Sequence, residues 1–285
     1  MNCKLAVLIP CGYKHQSYLP LAVASVELSS VLPAQKIIIT DGFRLDQKFL
    51  NTLIQLDWQV LENRLAKGAS AAKNIGIREI RNDIDYVTFL DADDISHRNH
   101  FKECIQKLKS DQLAAVGCQA VVFRVNSSFP KKTRVLGHPR RPLNPLDIRE
   151  HQKRKRVTSV YASVVFRRDL LNQIGFFDES KLRGEDFDFY GRFIQQGYDL
   201  GNISSQLYAY NHPMYDSYPK FKFDNQIRSN ARFSFFRYLR NCVLRTASFH
   251  LKKEVRLEWQ SHFEAIKHFI YQANMYPNYG LNRNI

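Results

Sequence analysis

The sequence predicts an α/β fold on a mostly parallel central sheet, from the following observations. Short, almost wholly apolar runs recur at 5–9 (LAVLI), 36–40 (KIIIT), 58–61 (WQVL) and 86–90 (YVTFL). Between them lie stretches with helical spacing: Leu19, Ala22, Val23 and Val26, then Leu50, Leu53 and Ile54, then Ala72, Ile75 and Ile80. Strands apolar on both faces belong to a sheet covered by helices on both sides, and strand–helix alternation makes that sheet parallel. Sheets of this kind bind ligands beyond the carboxyl ends of their strands. Cys11-Gly12-Tyr13, Asp41-Gly42 and the acids of LDADD (Asp91, Asp93, Asp94) should therefore share one edge.

Later elements are read the same way. Residues 112–123 (QLAAVGCQAVVF) form another strand. Residues 124–156 hold 11 Lys+Arg against two acids and four prolines, which predicts a basic loop able to act as a lid. Strand character returns at 157–166 (VTSVYASVVF), and a helix begins at RRDLLNQI. Phe187, Tyr190, Phe193 and Ile194 recur at helical spacing, which puts Glu185 and Asp186 in the first turn of a helix. Residues 224–272 read as two or more basic, aromatic helices. The division expected is 1–120 for the front α/β half, 121–223 for the other half of the same domain, and 224–285 for a C-terminal helical extension.

Charge is lopsided. Of the net +15, residues 1–120 contribute 14 Lys+Arg against 13 Asp+Glu, and residues 121–285 contribute 28 against 14. A basic back half suits an anionic partner: nucleic acid, phospholipid or a phosphorylated substrate. In 226–247, Phe235, Leu239, Cys242 and Val243 share a helical stripe with Arg237 and Arg240 directed away, the pattern of a core-facing helix or of one lying on an anionic membrane. Five scattered cysteines without a CxxC pair fit neither a disulfide framework nor a zinc site. No run of 18 apolar residues is present, and LAVLIP is short for a signal-peptide core. The expected location is the cytoplasm, with peripheral attachment at the inner face of the membrane as an option.

The acids carry the chemistry. Crowded carboxylates repel by ~1 kcal/mol at 4 Å in water, and several-fold more in a less polar setting. At the mouth of a buried strand they favour a divalent cation, and oxygen ligands suit magnesium or manganese. The bland alternative is a cap: Asp93 or Asp94 heading a helix that begins near His97, with the other acids solvated. Glu185 and Asp186 are open in the same way, as first-turn acids that complement the helix dipole or as a general base. His212, after the strand-like YAYN, could add a nitrogen ligand to the same ion.

In order along the chain, LAVLIP, IIITDG, GASAAKNIGI, FLDADD and GFFDESKLRGEDFDFYGR resemble the motifs of family 2 glycosyltransferases with the GT-A fold. The resemblance implies a Rossmann-like sheet, a nucleotide-sugar donor (UDP by preference), Mn2+ or Mg2+, and an inverting transfer of a hexose to a hydroxyl. The acceptor it implies is a glycan or lipid-linked acceptor of surface polysaccharide or lipopolysaccharide synthesis. It places Pro10, Tyr13 and Asp41 at the nucleotide, and Lys73, Asn74 and Asp91 near the donor. Asp93 and His212 would meet the metal. Asp186 would take the acceptor's proton, with Glu185 and Arg192 in support. The chain departs from the pattern where Cys-Gly-Tyr-Lys-His follows Pro10, where TDGF stands for DDGS, and where Lys73 replaces arginine. A protein that binds nucleic acid through its basic half is the competing class, but no motif for it is found. An inactive scaffold of the same fold is a third reading, against which the retained Asp93 and Asp186 argue.

Overall fold

The computed structural model describes residues 3–123, 135–181, 183–211 and 251–275. Each apolar run of the front half is a strand: β1 (Leu5–Gly12), β2 (Gln35–Asp41), β3 (Gln59–Asn63) and β4 (Tyr86–Phe89). The helices between them are α1 (Leu19–Glu27), α2 (Gln47–Gln55) and α3 (Ala69–Arg78). There follow β5 (Ile95–Ser96), α4 (His100–Ser110), β6 (Ala115–Phe123), β7 (Leu136–Gly137) and α5 (Pro145–Lys153). The rest comprises β8 (Val165–Arg167), α6 (Leu171–Ile174), α7 (Glu185–Gln195), β9 (Leu200–Asn211) and α8 (Lys253–Gln272). One sheet runs in the order β3-β2-β1-β4-β8-β6-β9-β5, with β7 beside β6. Its first four strands are parallel; β8 is antiparallel to β4 and β6, and β9 is parallel to β6.

Helices cover both faces, as the unalternating strands require. In β1, Leu5, Val7 and Ile9 join the layer formed by α1, α2, α4 and α8, while Ala6 and Leu8 join the layer under α3, α5, α6 and α7. Gly76 lets α3 lie against the sheet, since a Cβ there would meet Leu8 Cδ2 at 2.6 Å and Ile39 Cδ1 at 2.8 Å. The C-terminal helix α8 is part of this core. Its Trp259, Phe263, Ile266 and Ile270 are buried in the first layer. The amphipathic segment 226–247 lies outside the described residues.

Several expectations are corrected. The strand expected over 157–166 shrinks to β8, preceded by a 3-10 turn at Tyr161–Ser163. The basic loop contains α5, whose N-cap Asn144 accepts from the Asp147 amide while Pro145 fills the first helical position. Helix α2 buries Phe49 and Leu53 and leaves Ile54 60% exposed. Helix α7 buries Phe189, Tyr190 and Phe193, with Phe187 only partly covered. Helix α4 begins at His100 under Asn99, so neither Asp93 nor Asp94 caps it.

The edge strand β5 is fastened by a polar knot. Ser96 donates its amide to Ser25 Oγ (3.2 Å), its carbonyl accepts from His262 Nε2 (2.9 Å), and its hydroxyl meets His100 Nδ1 (2.9 Å). His100 Nε2 in turn reaches the Ser163 carbonyl at 2.8 Å, which fixes the proton on that nitrogen. His97 stands 5.1 Å from His262, ring centre to ring centre. Burial holds His97 down to about 3, and His100 and His262 down to about 4.

Candidate active site

The carboxyl ends of β2, β1 and β4 lie side by side, with Gly12 of β1 opposite Asp41 of β2 and Leu8 opposite Phe89 of β4. The chain leaves β1 through a 3-10 turn at Tyr13–His15, and leaves β4 into the Asp91–Asp94 turn. Because the two strands are neighbours, their loops meet. His15 Nδ1 lies 3.1 Å from Asp93 Oδ2, with the side chains 47% and 20% exposed. Its hydrogen bond to Asp93, opposed by burial and helped by the charges of Asp93 and Asp91, raises the imidazole above its ordinary value. Nothing in the sequence marks this pairing, since seventy-seven positions separate the partners and only the parallel register brings them together.

The second acidic group reaches the same crevice. Helix α7 begins just after Gly184, its N-cap, whose φ of +75° turns the chain so that Glu185 and Asp186 enter the first turn. Lys73 of α3 meets them there: Nζ is 2.5 Å from Asp186 Oδ1 and 3.4 Å from Glu185 Oε1. The lysine is buried beneath Phe177, 4.9 Å from its ring centre. Burial alone would lower its proton affinity, but Asp186, Asp91 and Glu185 together raise it. Asp91 is pushed up to about 6, first by burial and then by Asp186, Asp93 and Glu185, with Lys73 pulling the other way. Asp91, Glu185 and Asp186 thus surround a single buried ammonium, and Asp93 acts on Asp91 from the other side. Behind them stands an aromatic wall: Phe177 stacks on Phe189 at 4.1 Å, and Tyr161 stacks on Tyr190 at 5.4 Å.

Asp94 has a structural use. Its carboxylate, 1% exposed, accepts from the Tyr208 hydroxyl and the Asn211 amide, both at 2.8 Å, and so ties the acidic turn to β9. Burial raises its proton affinity well above the usual carboxylate range.

The other expected donor residues divide. Asp41 holds the following loop, accepting from Asn63 Nδ2 (2.6 Å) and the Lys67 amide (3.0 Å) on Oδ1, and from the Gly68 amide (2.8 Å) on Oδ2. One lone-pair site of its carboxylate, on Oδ2, stays open to a ligand. Tyr13 is 65% exposed and edge-on to Phe43 at 6.2 Å, beside half-buried Pro10. Asn74 is turned inward: Nδ2 donates to the Phe177 carbonyl and to Glu179 Oε1 (both 2.9 Å), and Oδ1 accepts from the Phe177 amide (2.8 Å). It fastens the 177–179 segment and offers no hydrogen to a donor. Arg192 also differs from expectation, holding the Ile174 and Phe176 carbonyls and lying 3.3 Å from Asp188. His212 lies outside the described residues.

Comparison with known proteins bears on the family and the fold. The family model described as Glycosyl transferase family 2 matches residues 6–175, more than half of the chain. A "Pre-mycofactocin glycosyltransferase" of Mycobacterium tuberculosis (strain CDC 1551 / Oshkosh) is 29% identical over 163 residues, which cover 55% of this chain. The chain spans 33% of the length of that relative. Among solved structures, S. aureus TarS 1-349 has a TM-score of 0.54 at 14% identity, covering 94% of this chain and 72% of TarS 1-349. The same protein in complex with UDP-GlcNAc has a TM-score of 0.56 at 14% identity, covering 97% and 74%. At that identity the likeness speaks for the fold, and it bears out the GT-A architecture expected from the motifs. The order of motifs and the matched family model lead to one conclusion: the chain belongs to glycosyl transferase family 2.

Proposed function

We propose that the crevice transfers a hexose from a UDP-sugar to a hydroxyl group, with inversion and with a divalent cation on the diphosphate. The observation that carries this reading is the meeting of two acidic groups, Asp91–Asp93 and Glu185–Asp186, across Lys73. A uridine donor is favoured because S. aureus TarS has been crystallised with UDP-GlcNAc. Tyr13, Pro10 and the open side of Asp41 would receive the nucleotide. Asp93 fits a cation site: it is partly exposed, and a nitrogen of His15 stands beside it. Among the described residues no three such groups converge on one point, so the shell would be completed by the diphosphate. When bound, the ion supplies Lewis-acid stabilisation of the departing nucleoside diphosphate.

The protein's own steps follow from the geometry. Lys73 holds Oδ1 of Asp186, and the other carboxylate oxygen would accept the proton of the acceptor hydroxyl. As that proton leaves, the acceptor oxygen bonds to the anomeric carbon, and the bond to the diphosphate breaks with its electron pair on the leaving oxygen. Attack on the face opposite the leaving group inverts the centre. The aromatic wall beneath the acids lowers the local dielectric and strengthens each of these electrostatic terms. The surplus of 28 basic against 14 acidic residues in 121–285 suits a phosphorylated, lipid-linked glycan acceptor of surface polysaccharide or lipopolysaccharide. Such an acceptor implies work at the inner membrane face. Among the described residues no helix is long and apolar enough to cross a membrane.

The test is incubation with a panel of nucleotide sugars and Mn2+ while slow hydrolysis of the donor is followed. Release of UDP from one or two donors, abolished by EDTA, is the expected result. No turnover of any donor, or turnover indifferent to EDTA, would overturn the metal-dependent reading.

A further inference from the structure

The spacing of His15 and Asp93 suits a hydrogen bond and equally suits two neighbouring ligands of one ion. Adjacent ligands of an octahedral ion with bonds of about 2.1 Å are about 3.0 Å apart. His15 Nδ1 and Asp93 Oδ2 are 3.1 Å apart. Both atoms belong to partly exposed side chains on loops leaving neighbouring parallel strands, at the crevice edge where a diphosphate would enter. We infer that His15 is a nitrogen ligand of the donor-bound divalent cation, next to Asp93, and that it sets the choice of metal. The inference rests on the metal-dependent reading above and goes beyond it by adding a ligand from the first loop.

The chemistry has a direct consequence. Imidazole nitrogen favours transition ions over magnesium, which prefers oxygen and water. The protein should therefore take Mn2+ well ahead of Mg2+. To ligate an ion, Nδ1 would have to give up to solvent the proton it holds against Asp93, so binding through His15 would release a proton and weaken in acid. The 3-10 turn fixes the reach of His15: its buried neighbour Cys11 and the β1–β2 ladder hold the turn's root, while Tyr13–His15 carries no buried residue and can adjust by a fraction of an ångström.

The experiment uses the full chain with Mn2+ and UDP, read by calorimetry and by pulsed electron paramagnetic resonance, which detects 14N coupled to bound Mn2+. Because His212 is a second candidate nitrogen, wild type, His15→Gln, His212→Gln and the double variant are compared. The expected result is a 14N coupling that survives in His212→Gln and is lost in the double variant. His15→Gln should weaken Mn2+ binding in the presence of UDP by about 10-fold or more, with Mg2+ binding changed much less. Thermal midpoints within a degree or two of wild type show that the variants are folded. Mn2+ bound with UDP, but without 14N coupling in His212→Gln, would overturn the role of His15 and leave the metal-dependent reading standing. UDP bound with no Mn2+ at all would sink both together.

Discussion

Lys73 is enclosed by carboxylates from two motifs more than ninety residues apart, and its removal would leave them facing one another. Breaking a buried ion pair from one side is costly, so Lys73→Met should lose about 3 kcal/mol of stability. Urea unfolding at neutral pH measures it, and an unchanged midpoint would show that the acids do not need the lysine. Asp186→Asn should lower transfer by about 100- to 10,000-fold while donor affinity stays near wild type, the signature of a missing base. Near-normal turnover in that variant would refute the assignment. The residues of the candidate site were legible in the sequence, because motif order singled out Asp91, Asp93, Lys73 and Asp186, which the fold gathers at one crevice. Their uses were less so. Asn74 fastens Phe177 and Glu179, Arg192 reaches two backbone carbonyls and Asp94 holds β9, and these are tertiary facts that no local pattern encodes.

Elements reveal where periodicity was a good guide and where it was not. Strands β1, β2 and β4 announced themselves because both faces are buried, the edge strand β3 is only partly covered, and β5 and β7 are two residues long and carry no pattern at all. Helix α5 could have been read from Asn144-Pro145, a cap followed by a first-turn proline, but the basic composition around it pointed to a loop. The seam between β5, α4 and α8 makes its own prediction. His97, His100 and His262 are buried neutral, with Arg98 adding to the positive field and Glu258 lying 3.2 Å from His97. Their folded values lie below the unfolded value near 6.5, so the unfolded chain binds more protons in acid. Stability is fully present above pH ~6.5 and falls toward pH ~4 by about 1.4 kcal/mol per pH unit for each histidine. His262→Gln should reduce the slope between pH 6 and 5 by about one proton. Equal slopes in variant and wild type would show that His262 is not the group being titrated.

For the molecule as a whole, α8 decides whether the C-terminal part is an appendage. Trp259 and Phe263 are at most 1% exposed and sit in the same layer as α1 and β1, so ending the chain at residue 250 would uncover that face. Losing a single large buried aromatic typically costs about 3–5 kcal/mol, against a total stability of about 5–15 kcal/mol. The truncated chain should therefore be recovered as aggregate or as a loosely packed form. A sharp thermal transition near the wild-type midpoint would refute this. The sequence indicated helices over 224–272, but not that the last of them packs into the core, because membrane-facing and core-facing stripes have the same period.

The acidic turn that opens onto the crevice is clamped at both ends. The Leu90 amide bonds the Leu8 carbonyl (3.0 Å), the Asp94 amide bonds the Asp91 carbonyl (3.1 Å), and the Asp94 carboxylate grips β9. Its backbone order is settled when the chain folds, so little conformational entropy is left to lose when a ligand arrives. The carboxylates between the clamps can rotate but hardly translate. Exchange of the Leu90 and Asp94 amides should then be slow in the free protein and almost unaltered by the donor, with the response to binding confined to side-chain torsions.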